Sequence, residues 1–213
     1  MPTALILEIE ESLFDTRSVR AAALCDALKQ EGASIEIERV SAAHRGVPAA
    51  IALQRLAPLL DLDPTGHDLV LRRAADAASR IFSVHIPAFD ADSRDALETI
   101  HADCAIGVVT RATSAEALQW LEAAGLDASV ATVRSMAPLA PAEYAACWAD
   151  ALRRTHAMRG VAVAAPTLLR IARQAGLRTL QIGPDPDPSL DGYHPDAQLE
   201  SLAQLHAAFL AIL

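Results

Sequence analysis

Three carboxylates fall within four positions near the start of the chain, at Glu8, Glu10 and Glu11. They follow directly on Ala4 to Leu7, a short continuous apolar run that suits a strand buried on both faces. Function in an open α/β sheet collects at the carboxyl ends of its central strands, which makes these acids candidates for a site. The alternative is a polar strand end that faces water. Their collective charge limits what could bind beside them. At about 5 Å and an effective dielectric of about 20, each carboxylate repels a unit anion by roughly 3 kcal/mol. A hydrogen bond returns only about 1 kcal/mol, so any anion-handling site here needs a cation.

The cations that could serve are few. Lys29 is the only lysine, and every other fixed positive charge is an arginine. Arg111 follows Val108-Val109-Thr110, and Arg134 follows a second short apolar run, Ser129 to Val133. Either arginine would neutralise the acids, or a glutamate would be partly protonated. The sequence contains no P-loop, no G-x-S-x-G, no H-E-x-x-H and no dinucleotide fingerprint. Its cysteines, Cys25, Cys104 and Cys147, lack metal spacing and read as buried free thiols.

The elements around these residues change character along the chain. Ser18 to Glu31 is predicted as an amphipathic helix stopped by Gly32. Ile35, Ile37 and Val40 alternate too briefly to specify an element. Val47-Pro48 opens a helix to about Leu56, Asp61 to Gly66 reads as a loop, and His67 to about Val84 is a longer helix. From Pro87 onward, strands and helices alternate. Helices are predicted over Ser93 to His101 with the serine as N-cap, Ser114 to Ala124, Pro141 to about Thr155, and Leu168 to Ala175. Strands are predicted over Cys104 to Thr110, Ser129 to Val133, Val161 to Ala164 and Thr179 to Ile182. Pro184 to Pro195 is a Pro/Asp loop, and Leu199 to Leu213 a closing helix. Such alternation means a parallel sheet covered on both faces.

Against these elements, Glu8-Ile9-Glu10-Glu11-Ser12-Leu13-Phe14-Asp15-Thr16 resembles motif I of the haloacid dehalogenase (HAD) superfamily of phosphohydrolases and phosphomutases. The family pattern is a hydrophobic strand followed by D-x-D-G-V-L-x-D-T. Leu13, Phe14, Asp15 and Thr16 fit it. Both aspartates are glutamate here, and the glycine is Glu11. The resemblance spans the whole chain and is nearest the branch of β-phosphoglucomutase and phosphoglycolate phosphatase. It implies an α/β fold: a Rossmannoid core with a five-stranded parallel sheet covered by helices, plus an inserted all-helical cap. The core would comprise 1–16 and 87–213, and the cap 17–86. Ala4 to Leu7 would lie between Cys104–Thr110 and Val161–Ala164.

The resemblance also implies roles. Family members use the first aspartate as nucleophile and the second as general acid/base. Mg²⁺ is held by the nucleophile, a backbone carbonyl and motif IV acids, and phosphate by a Ser/Thr (motif II) and a lysine (motif III). Glu8 and Glu10 occupy the motif I positions and would be the only candidates to hold a metal. Thr110 answers to motif II, with the alternative that it is an ordinary strand-end residue. Pro138 stands where the motif III lysine belongs, in a run that continues Leu139-Ala140-Pro141-Ala142-Glu143-Tyr144. Ala164 and Ala165 stand where the motif IV acids belong, with Asp185 and Asp187 as remote replacements. His44-Arg45-Gly46-Val47-Pro48 resembles the cap's substrate-specificity loop, the alternative being a plain turn between helices.

Glutamate is one methylene longer than aspartate, and a misplacement of about 1 Å costs on the order of a hundredfold in rate. The leading expectation is therefore a HAD-like protein of phosphatase ancestry with little or no hydrolase activity and no cofactor. It would bind a small molecule or a protein partner. The alternatives are an active phosphatase or phosphomutase using Glu8 as nucleophile with Mg²⁺, or a metal-free dehalogenase-like hydrolase. The net charge of −9 argues against nucleic acid and anionic membranes. The absence of a long apolar run or signal-like start predicts a soluble, cytoplasmic protein.

Overall fold

A computed structural model describes residues 2–10, 12–60, 64–89, 92–137, 139–182 and 193–213, without the side chains of 64, 65 and 92. Glu11, Pro138, Asp185 and Asp187 thus lie outside the described residues. The chain divides into two compact units, Met1–Phe14 with Phe89–Leu213, and Asp15–Ala88.

The first unit is built on a parallel sheet. Its strands are β1 (Thr3–Glu8), β2 (Ala105–Thr110), β3 (Val130–Ser135), β4 (Arg159–Ala164), β5 (Arg178–Ile182) and β6 (Ala197–Leu199). The order is β3-β2-β1-β4-β5-β6, which sets β1 between β2 and β4 as the resemblance implies. The central strands are almost wholly buried, and their apolar runs are what a sheet covered on both faces requires. In β4, Gly160 lets Leu152 and Leu177 close over the backbone, since a Cβ there would lie 2.4 Å from Leu177 and 2.8 Å from Leu152.

The sheet has six strands, not five. β6 is three residues long and follows Asp196, whose N–H donates to the Thr179 carbonyl at 2.9 Å. That bond lays the chain beside β5, and three residues are too few to show an alternation in sequence. The expected closing helix over 199–213 is corrected accordingly: Leu199 ends β6, a 3₁₀ turn follows at Leu202–Gln204, and the helix is confined to Leu205–Ile212.

Four helices make up the described part of the second unit: α1 (Arg17–Gln30), α2 (Ile37–His44), α3 (Ala49–Leu56) and α4 (Pro64–Phe82). Leu24, Leu28, Val40, Leu53, Leu56 and Val70 form its core. The ambiguous alternation around Ile37 resolves as α2, with only Val40 and His44 fully buried. The segment expected as a loop through Gly66 is already helical from Pro64. A proline is tolerated at a helix start because its missing N–H has no partner to lose there.

Five more helices flank the sheet: α5 (Asp92–His101), α6 (Ser114–Ala123), α7 (Tyr144–Arg154), α8 (Pro166–Gln174) and α9 (Leu205–Ile212). Ser93 lies inside α5, fully buried, and is not its N-cap. Cys25 and Cys147 are buried free thiols, whereas Cys104 is only half-buried.

Candidate functional site

Parallel pairing decides which residues meet at the carboxyl end of the sheet. Glu8 is the last residue of β1 and pairs in register with Val109, which places Thr110 and Arg111 one and two positions beyond it. Ala164 ends β4 on the other side of β1. Beyond Glu8 the chain folds back on itself: the N–H groups of Leu13 and Phe14 both donate to the Ile9 carbonyl, at 2.9 and 3.0 Å. Phe14 anchors this turn against Phe89 and Trp120, with ring centroids 5.5 and 5.7 Å apart. The Ser12 hydroxyl donates to the carbonyl of Glu8. Thus the hydrophobic Leu13-Phe14 pair read from the sequence holds the loop that presents the acids.

Glu8 and Glu10 do not face water. Glu8 is 1% exposed and Glu10 is fully buried. The Arg111 side chain reaches between them: its Nε donates to Glu8 Oε1 at 3.0 Å and stands 3.8 Å from Glu10 Oε2. Of the two arginines considered from sequence, Arg111 is the one that meets the acids. Arg134 instead points at Asp150, with Nε 2.7 Å from Oδ2.

Glu10 takes the donors that an incoming oxyanion would need. Its Oε2 accepts the Thr110 hydroxyl at 3.0 Å and the Arg111 backbone N–H at 2.6 Å. Thr110 Oγ1 is itself engaged as acceptor from the Ala112 N–H at 3.0 Å. The hydroxyl and the amide after it therefore already hold an anion, and that anion is a side chain of the protein.

The remaining predicted positions are placed as follows. Ala164 is buried at the end of β4, and Ala165 is the N-cap residue of α8, whose first residue is Pro166. Neither carries an oxygen on its side chain. Tyr144 opens α7 in the core, where burial pushes its hydroxyl up to about 12. Nearby Cys147 is pushed to about 11, chiefly by burial, and is a neutral thiol at physiological pH. His44 and Arg45 lie in the helical unit. His44 is the buried last residue of α2, and Arg45 is exposed in the turn before α3, where Gly46 takes a positive φ of 62°.

A magnesium ion, the cation this kind of fold implies, does not fit these residues. It needs near-octahedral oxygen donors and keeps carboxylates for itself. Here Glu8 is paired with a guanidinium, Glu10 Oε2 accepts two hydrogen bonds, and the side chains of Ala164 and Ala165 supply no oxygen. Among the described residues, no group of three or more His, Cys, Asp or Glu side chains is placed to hold a metal.

The sequence reading missed two features that shape this end of the sheet. Thr113 and Glu116 form a capping box at the start of α6, with Glu116 Oε2 accepting the Thr113 N–H at 2.8 Å and Thr113 Oγ1 accepting the Glu116 N–H at 3.2 Å. Its signature, a threonine three residues before a glutamate, was there to be read. Asp150 as the partner of Arg134 had no local signal, because the two lie on different elements.

Comparison with known structures matches this architecture along the whole chain. The chain superposes on a haloacid dehalogenase-like hydrolase from Streptococcus pneumoniae with a TM-score of 0.79 at 16% identity, covering 98% of each chain. The chain has the haloacid dehalogenase fold. A predicted phosphoglycolate phosphatase from Lactobacillus plantarum gives 0.77 at 13% identity over 96% of this chain and 97% of that one. A β-phosphoglucomutase from Clostridium difficile gives 0.74 at 10% identity over 100% and 96%. No protein-family model and no curated protein matches the sequence. In this HAD-fold chain, no helix among the described residues is long and apolar enough to cross a membrane.

Proposed function

We propose that this protein is a HAD-fold protein of phosphatase ancestry that no longer hydrolyses phosphate esters and acts by binding a small molecule or a protein partner. One observation carries the reading. The groups that would hold a substrate's phosphate and its cation hold each other: Glu10 accepts Thr110 and the Arg111 amide, and Arg111 neutralises Glu8.

Substrate phosphate would have to displace Glu10 from those donors and would then confront a freed carboxylate. Each unit charge at about 5 Å opposes it by roughly 3 kcal/mol. Nucleophilic attack by Glu8 fails for a related reason. Its Oε1 is held by a charge-assisted hydrogen bond in a buried site, so attack would strip the guanidinium of its partner.

The test is a hydrolysis assay on a panel of small phosphate monoesters, with and without Mg²⁺, at protein concentrations high enough to detect slow turnover. No Mg²⁺-dependent release of phosphate is expected, and no retention of beryllium or aluminium fluoride. Turnover that disappears in Glu8→Gln would establish the opposite reading, an active phosphatase with a glutamate nucleophile.

A further inference from the structure

A groove of about 790 Å³ opens between β3 and α7, lined by Arg134 on the strand and by Asp150, Arg153 and Arg154 on the helix, with Ser114 and Glu143 also contributing. None of the Glu8 cluster lines it. Its chemistry is unlike that of the rest of the chain. The protein carries a net charge of −9, yet three guanidinium groups meet here around one carboxylate.

Asp150 is over-subscribed. Arg134 Nε lies 2.7 Å and Arg154 Nε 2.9 Å from the same Oδ2, while Arg153 pairs with Oδ1. Glu143, the other acid in the lining, accepts the Ala140 N–H at Oε2 at 2.9 Å and keeps its charge, so the three arginines still outnumber the two acids. Each guanidinium has five N–H donors in a planar fork, and a single carboxylate uses only a few of them. The side chain of Asp150 is 14% exposed beneath the arginines, which are 40%, 78% and 53% exposed for Arg134, Arg153 and Arg154. The unused donors are therefore on the open side.

Two cations held on one oxygen repel each other, the more so where the surroundings are less polar. A ligand with two negative charges would remove that repulsion and take up forked donors in pairs. The space is that of a small-molecule site, and the acidic balance of the chain as a whole disfavours a long polyanion. We propose that this groove binds a small oxyanion carrying at least two negative charges, as phosphate or carboxylate groups. The proposal is independent of whether the sheet-end site hydrolyses anything.

The experiment is isothermal titration of the intact protein with pyrophosphate and, separately, with citrate, at low and at moderate salt. Saturable binding with a Kd below about 1 mM is expected for at least one probe, and the stronger one tells phosphate from carboxylate. Arg153→Gln and Arg154→Gln, both at exposed helix positions, should each weaken it by about tenfold or more. Arg170→Gln, an exposed arginine on α8, should leave it unchanged. Two results would overturn the proposal: no saturable binding of either probe, or binding that Arg153→Gln and Arg154→Gln leave as it was.

Discussion

Arg111 Nε and Glu8 Oε1 are 3.0 Å apart, with both side chains no more than 2% exposed, although they are separated by 103 positions in sequence. A pair so deeply buried does not stabilise greatly by forming, because both ions have left water. It is costly to break. Removing one partner takes a close counter-ion from a charge that water does not reach.

The first prediction follows from that asymmetry. Arg111→Met should lower stability by about 3–5 kcal/mol in urea unfolding, since two buried acids lose their cation. Adding Glu8→Gln to the same chain should recover part of the loss, because one of the stranded charges is then gone. Strictly additive costs in the two single variants and the double would show that the pair is not coupled.

A second prediction tests the proposed loss of hydrolase chemistry. Replacing Glu8→Asp, Glu10→Asp, Pro138→Lys and Ala165→Asp together restores the family's residue types, but Arg111 would still reach the first carboxylate. Mg²⁺-dependent phosphatase activity should appear only when Arg111→Ala is added. Activity in the fourfold variant alone would mean that the guanidinium is not what keeps the cation out.

At the other end of the sheet, Asp196 predicts a pH dependence. Burial pushes its carboxyl up, but this is outweighed by the Thr179 hydroxyl and N–H and by Arg178 and Arg173, so its folded pKa lies below the ordinary value of 3.8. A group depressed on folding stabilises above its unfolded pKa and loses that contribution as pH falls through the folded one. Asp196→Asn should therefore be less stable than the parent at pH 7, and the gap should close in acid, below about pH 4. Urea midpoints measured from pH 7 to pH 2 check it, and a gap that stays constant would contradict it.

Two backbone positions give contrasting predictions. His156, just after α7, has a positive φ of 56°, a conformation that costs a side chain but not glycine. His156→Gly should be neutral or stabilising by up to about 1 kcal/mol. Gly160→Ala should destabilise by about 1–3 kcal/mol, because the new methyl would overlap Leu177 and Leu152. The thermal midpoint of Gly160→Ala should fall, and that of His156→Gly should not.

The sequence by itself determined the layout of the core. Continuous apolar runs such as Ala4–Leu7 and the alternation after Pro87 leave few folds open, and the β1 neighbours fall where they were expected. It also determined that the end of β1 is acidic and that Ala164 and Ala165 supply no ligand, since those are facts of residue type. Tertiary structure alone decided which arginine answers the acids. Arg111 follows β2 and Arg134 lies near the end of β3; they have the same chemistry, and only the register of β2 against β1 brings one of them to Glu8. It likewise decided that Glu10 accepts Thr110, and that Arg134 joins the Asp150 carboxylate that α7 already pairs with its own Arg153 and Arg154. Such contacts join residues remote in sequence, and no local pattern of hydrophobicity or capping records them. A three-residue edge strand such as β6 escapes for the same reason: its pairing is made by a partner strand, not by a period of its own.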